Sequence, residues 1–235
     1  MLDFDFEPEL PDWSKRLGVF DLETTGLDVA DARIVTACVA TIDANGEIAE
    51  VREWLVDPEI EIPEAASAVH GVSTERARAE GANALISVTE IIELLSSMNR
   101  QMPLVAFNAA YDFSVLKHEA LRHTLPVLEP KPVVDPLVID RKLDKYRSGK
   151  RTLGLMCQLY GVKLENAHNS TADAVAAGRL AQRQAAKFAE LNIDPLELHE
   201  LQRAWADEWT LGMQEWLKSQ NRPDFRAELG WPIKD

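Results

Sequence analysis

Two carboxylates stand two residues apart at the end of an apolar run, in Phe20-Asp21-Leu22-Glu23-Thr24-Thr25-Gly26-Leu27. Residues i and i+2 of a β-strand share a face, so Asp21 and Glu23 project together while Leu22 turns back into the core. Hard oxygen donors on one wall suit magnesium or manganese, which take carboxylate and water ligands rather than sulfur. A strand-end pair of acids is also often simply solvated, so further groups are needed before the pair implies chemistry. Asp112 follows Asn108-Ala109-Ala110-Tyr111, where a buried strand passes into a helix. It reads either as a third carboxylate or as an ordinary acid favoured by the helix dipole. Asp173 lies in Ser170-Thr171-Ala172-Asp173, which fits a capping box with Ser170 as N-cap and the acid at the third helical position. His168 precedes that helix in the polar loop Asn166-Ala167-His168-Asn169, where imidazole has no apolar face to fill. With a reference pKa near 6.5 it suits a general base at neutral pH.

Positioning these groups takes a sheet. Gly18 to Thr24, Arg33 to Asp43 and Glu47 to Val56 read as three strands. Asn45-Gly46 between the last two is the favoured pair for a type I′ hairpin, which makes them antiparallel. Short helices follow at Pro63 to Val69 and Ser73 to Ala79, and Leu85, Val88, Ile91, Ile92 and Leu95 give helical spacing across Ala84 to Asn99. Pro103 to Asn108 is an apolar run of the buried-strand type, leading into a helical pattern from Ala110 to His123, which suggests a parallel element. Val133-Val134-Asp135 offers a last strand, with helices at Leu137 to Tyr146, Thr152 to Tyr160 and Ser170 to Glu190. The fold class is α/β: a mixed five-stranded sheet, three antiparallel strands then two parallel, flanked by helices. A boundary at Asn192-Ile193-Asp194-Pro195 divides a body over residues 1–190 from a C-terminal extension over 191–235. There Leu198, Leu201, Trp205, Trp209, Met213 and Trp216 recur at three or four, marking an amphipathic helix that docks on the body or faces a partner. Trp231-Pro232-Ile233 is expected to pin the terminus.

At 235 residues, 46% hydrophobic and 27% charged, the chain can bury one full core and is not of disordered composition. A formal charge of −14 argues against coating long duplex nucleic acid, yet permits gripping a strand end. With no apolar run long enough for a membrane span and an acidic N-terminus, the protein is expected to be soluble and cytoplasmic. Cys38 and Cys157 sit amid apolar neighbours and read as buried free thiols.

The order Asp21, Glu23, Asp112, His168, Asp173 resembles the DnaQ-like, or DEDDh, 3′-to-5′ exonucleases, through Phe20 to Leu27, Asn108 to Asp112 and His168 to Asp173, over roughly residues 16 to 190. Val69-His70-Gly71-Val72 and Gly149-Lys150-Arg151-Thr152-Leu153 look like family segments in the expected order. The resemblance implies a ribonuclease-H-like fold. The four carboxylates would hold two divalent cations, Mg2+ or Mn2+, with His168 as general base. It further implies that Thr24 lies near the terminal 3′-OH, that Leu27 and Tyr111 pack against the last bases, and that Asn108 and His70 approach the substrate. That substrate is a nucleic acid 3′ end, single-stranded or frayed DNA being favoured over RNA, with nucleoside 5′-monophosphates released. Phe107 stands where many relatives have histidine, and Tyr111 where phenylalanine is expected in the bacterial polymerase subunit.

Six of the eleven residues from Arg141 to Arg151 are basic, a stretch that reads as a solvated surface or as a phosphate contact. The Asp-x-Asp-x-Thr loop of haloacid-dehalogenase-type phosphatases is a poor match, because Glu23 stands at its second acid and His168 and Asp173 go unused. A module that tethers a nuclease to a DNA polymerase through the C-terminal helix is compatible with the enzyme reading.

Overall fold

The computed structural model describes residues 9–164, 168–222 and 226–234. Residues 166 and 167 of the His168 loop lie outside them. Strands β1 (Leu17–Thr24), β2 (Ile34–Ile42) and β3 (Ile48–Leu55) form the antiparallel meander, and β4 (Leu104–Val105) and β5 (Val133–Val134) add parallel to β1. The sheet order is β3-β2-β1-β4-β5. Helices α1 (Glu64–His70), α2 (Thr74–Glu80), α3 (Ala84–Asn99) and α4 (Ala109–Arg122) precede β5. Helices α5 (Pro136–Leu143), α6 (Leu153–Tyr160), α7 (Ser170–Lys187) and α8 (Pro195–Ser219) follow it. None of the described helices is long and apolar enough to cross a membrane.

Alternation along β1 sorts the core into two layers. Phe20 and Leu22 pack with Ile91 and Leu95 of α3 and Phe113 and Leu116 of α4. Leu17 and Val19 face the other way, onto Ala174, Ala177 and Ala181 of α7. That second face is the one on which Asp21 and Glu23 emerge at the end of the strand. Small residues let α7 lie close: a Cβ on Gly178 would fall 2.5 Å from a Val19 methyl and 2.6 Å from Ile42 Cδ1. The first turn of α7 is thereby carried to the end of β1.

Three details depart from the sequence reading. In the β2–β3 hairpin, Gly46 alone has positive φ, at 75°. Its N–H donates to the Asp43 carbonyl at 3.0 Å, and the Asp43 carboxylate accepts the Asn45 and Glu47 N–H groups. The loop is therefore a type I turn closed by a left-handed glycine, not type I′, because Asp43 draws the two amides to itself. Strand β4 covers two residues instead of the run from Pro103 to Asn108. Its chain leaves the sheet when Asn108 adopts φ 64° and gives its N–H to Asp135. Helix α7 is capped by Asn169, whose side chain accepts the Ala172 N–H; Ser170 is the first helical residue, not the N-cap.

Edge strand β5 is closed by α8. His199 Nδ1 accepts the Val133 N–H at 3.1 Å, and Gln202 accepts the Asp135 N–H at 2.7 Å while donating to the Val133 carbonyl at 3.0 Å. Side-chain amide and imidazole stand where a further strand would pair, which removes an exposed edge. Trp231 is buried against His199, with ring centroids 5.1 Å apart, so the terminal segment is held down.

Candidate active site

The site forms where β1 runs out of partners. The β1–β2 register shifts after Glu23, a bulge that ends regular pairing and aims the last side chains. On the opposite edge β4 stops at Val105, leaving the Leu22 N–H without a strand carbonyl. Asp112, in the first turn of α4, fills that vacancy: its Oδ1 accepts the Leu22 N–H at 3.0 Å. One hydrogen bond thus fixes a buried carboxylate beside Asp21.

Asp173 arrives on α7. Its Oδ2 accepts the backbone N–H of His168 at 3.0 Å, while its Oδ1 is buried with no hydrogen-bond partner. His168 is held at φ 68°, a left-handed conformation that costs a non-glycine residue about 1–2 kcal/mol. Ligand atoms of Glu23, His168 and Asp173 lie within 4.8 Å of one another.

The electrostatics point one way. Burial, and then the charges of Asp112, Asp173 and Glu23, hold the Asp21 carboxyl well above the usual carboxylate range. Asp112 is also raised, chiefly by burial, against the pull of the Leu22 N–H. Glu23 is pushed up to about 7, by burial first and then by Asp173. Asp173 is raised by burial, with the His168 N–H acting in the opposite sense. Carboxylates with raised pKa values and an orphaned buried oxygen are what a cation would satisfy, and an all-oxygen set with one imidazole suits a hard divalent ion.

The predicted substrate-side residues surround this cluster. Leu27 is 90% exposed on the loop leaving β1. The Tyr111 ring packs half-buried against the core, and its hydroxyl meets both Thr24 Oγ1 and, at 2.6 Å, the Gly26 carbonyl. That hydroxyl fastens the Gly26 loop, a role the sequence comparison with phenylalanine did not reveal. Asn108 caps α4 from its left-handed position without a side-chain capping bond. His70 ends α1; its Nδ1 accepts the Val72 N–H at 3.2 Å, and its Nε2 is buried without a partner. A cavity of about 230 Å³ is lined by both His70 and His168, with Arg76 and Ser170. Burial lowers the His70 pKa, with a hydrogen bond to the Thr24 backbone acting in the opposite sense.

Asp135 does more than cap α5: besides the Leu137 N–H at 2.9 Å, it accepts the Asn108 N–H at 3.0 Å, the Ala109 N–H at 2.9 Å and Trp231 Nε1 at 3.3 Å. The turn that presents Tyr111 and Asp112 is therefore tied to the C-terminal segment, a link that Asp135-Pro136 in sequence does not signal. In the basic stretch, Arg147 and Arg151 are drawn onto fully buried Asp140, at 2.5 and 2.7 Å, with the Tyr160 hydroxyl at 2.9 Å on its other oxygen. Those two cations hold the fold together. Cys38 and Cys157 are buried free thiols, pushed up to about 12 and about 11 by burial.

The chain belongs to the exonuclease family RNase_T, whose sequence profile matches residues 19–181. Among curated relatives, PolC-type DNA polymerase III of Streptococcus thermophilus is 29% identical over 163 residues, which are 69% of this chain and 10% of that protein. The Streptococcus suis counterpart is 30% identical over the same length and shares. The chain thus spans about a tenth of the length of these relatives. Among solved structures, Escherichia coli exonuclease I in complex with a dA16 oligonucleotide superposes with a TM-score of 0.63 at 18% identity, over 76% of this chain and 42% of that one. Exonuclease I of Methylocaldum szegediense gives 0.59 at 18%, over 75% and 42%. The mixed five-stranded, ribonuclease-H-like fold expected of a DnaQ-like exonuclease is the one observed.

Proposed function

We propose that the protein is a 3′-to-5′ exonuclease that hydrolyses terminal phosphodiester bonds of single-stranded or frayed DNA and releases nucleoside 5′-monophosphates. The observation that carries this reading is the convergence of Asp21, Glu23, Asp112 and Asp173 with His168 at the open end of β1, with Asp173 Oδ1 buried and unpartnered. These four carboxylates would hold two divalent cations, magnesium or manganese. Bound there, such a pair supplies activation of the attacking water and stabilisation of the leaving 3′ oxygen. A ring nitrogen of exposed His168 takes the water's proton, and the His168 main chain, fastened to Asp173, keeps the imidazole over the cluster.

Exposed Leu27 and the Tyr111 ring pack against the terminal bases, a sequence-tolerant contact because every base has a π-face. The Thr24 hydroxyl is occupied with Gly26 and Tyr111, so the approach of Thr24 to the terminal 3′-OH is through its backbone, beside His70. His70 and Asn108 flank the entering strand. We assign catalysis to residues 1–190 and treat residues 191–235 as the extension that closes the β5 edge.

DNA is favoured over RNA by the PolC-type relatives and by neighbours solved with dA16 and dT13 oligonucleotides. The same relatives support a second reading, in which α8 also tethers the protein to a DNA polymerase. Chromatography of a single-stranded oligothymidylate digest tests the chemistry. Thymidine 5′-monophosphate as the accumulating product is expected; 3′-monophosphates or internal fragments would overturn the reading.

A further inference from the structure

The carboxylate cluster accounts for a strand's last bond but not for how an acidic protein holds the strand behind it. A separate groove lies between α5 and α8, with a cavity of about 320 Å³. One wall is aromatic, from Trp205, Trp209 and Trp216, and the other basic, from Arg141, Lys142 and Lys145. The Arg141 guanidinium lies 3.5 Å from the centre of the Trp209 ring, which holds that ring in a fixed plane. Trp216 is 55% exposed, a large apolar surface left open to water. Lys145 is exposed and makes no ion pair among the described residues, while Lys142 is bridged to Glu208 at 2.6 Å. Three basic side chains thus face three tryptophans on a chain of net charge −14.

The groove also points toward the site. Arg141, Trp205 and Trp209 line a second cavity, of about 160 Å³, whose far wall includes Asn108 and Ala110. Those residues open the helix whose first turn carries Asp112. Across the sheet, β1, β4 and β5 lie side by side, so their C-terminal ends step from Asp21 through Asn108 and Asp135 to α5. Phosphates need cations and unpaired bases need flat apolar faces, and the α5–α8 groove offers both.

We infer that the α5–α8 groove is a second subsite that holds the single-stranded nucleic acid 5′-ward of the scissile end, bases against Trp216 and phosphates against Arg141 and Lys145. This rests on the proposed exonuclease reading for the identity of the strand, and it adds a length requirement to it. Strands that stop short of α8 are turned over without the groove's help, whereas longer strands gain affinity through it.

The test compares dT3 and dT12 on the full-length protein and on a Trp216→Ala, Lys145→Ala variant, both changes lying at exposed positions. In the wild type, KM is expected to fall about 10-fold from dT3 to dT12, within the range of one stacked base. The variant is expected to lose that gain, with kcat and KM on dT3 unchanged. A dT12 KM that stays low in the folded variant overturns the proposal and leaves this face of α8 to a protein partner. If neither oligonucleotide is cut, it is the exonuclease reading that fails. Fluorescence anisotropy of labelled dT12 in excess chelator then decides the groove by itself. Binding weakened about 10-fold in the variant upholds it, and binding that is absent or unchanged overturns it.

Discussion

Removing one of the clustered carboxylates is expected to stabilise the metal-free protein. Glu23 is pushed from an ordinary 4.5 up to about 7 by burial and by Asp173. A difference of about 2.5 in pKa corresponds to about 3 kcal/mol, and the part of the side chain open to water lowers this to about 2 kcal/mol. Below pH 4.5 Glu23 is protonated in folded and unfolded chains alike and costs nothing. Between 4.5 and 7 the unfolded chain releases the proton while the folded one keeps it, so stability falls as pH rises; above 7 the loss is complete. Asp21, Asp112 and Asp173, all raised, act in the same direction.

Glu23→Gln keeps the shape and removes the charge. In excess chelator at about pH 8 it should raise Tm by about 4–8 °C, taking about 2–4 °C per kcal/mol for a chain of this size. At about pH 5 the two proteins should differ much less. Magnesium at 100 times its wild-type Kd should return about 2.7 kcal/mol to the wild type and less to the variant, which narrows their difference and reverses it where the variant gains under about 0.7 kcal/mol. Thermal unfolding followed by circular dichroism reads all of this. A variant no more stable than wild type in chelator at about pH 8, or a wild type indifferent to magnesium, would refute the picture of a strained, cation-awaiting cluster.

Other consequences are open to measurement. His168→Ala should leave the fold intact and slow kcat by about 10²- to 10⁴-fold, the usual contribution of a positioned general base; unchanged turnover at saturating metal removes His168 from the mechanism. Asp140→Ala leaves Arg147 and Arg151 without their buried counter-charge, at a cost of about 3–5 kcal/mol, so Tm should drop by about 10 °C while the activity of the folded fraction persists. Tyr111→Phe keeps the ring but removes its hydroxyl's bonds to the Gly26 carbonyl and Thr24 hydroxyl, which still bond each other, so it should lose about 1 kcal/mol in urea unfolding with KM changed less than about 3-fold; a large rise in KM would place the hydroxyl on the substrate.

What could be read from the sequence follows the range of the interactions involved. Asp21 and Glu23 were legible because a period of two needs only the strand, and α3 because its apolar spacing is local to 16 residues. Asp112 was legible as a candidate but not in its attachment, since the Leu22 N–H is free only because β4, more than 80 residues on in sequence, stops at Val105. Ser170 competed with Asn169 for the cap of α7, and two adjacent cap-forming residues do not settle which takes the position. The basic stretch was legible only in part for a similar reason: Asp140 lies immediately before it, and only burial of that carboxylate shows where Arg147 and Arg151 must go. The closure of β5 by His199 and Gln202 joins parts of the chain 66 and 67 residues apart, and no local pattern announces it.

The central claim is that the carboxylate cluster cuts strands from the 3′ end, and the product ladder from 5′-labelled single-stranded DNA and RNA of one sequence tests it most directly. With magnesium or manganese the wild type should shorten the DNA stepwise from its 3′ end, faster than the RNA. Excess chelator should stop the reaction, and Asp21→Asn should abolish it. Shortening from the 5′ end, internal cuts, or a normal ladder from Asp21→Asn would contradict the account.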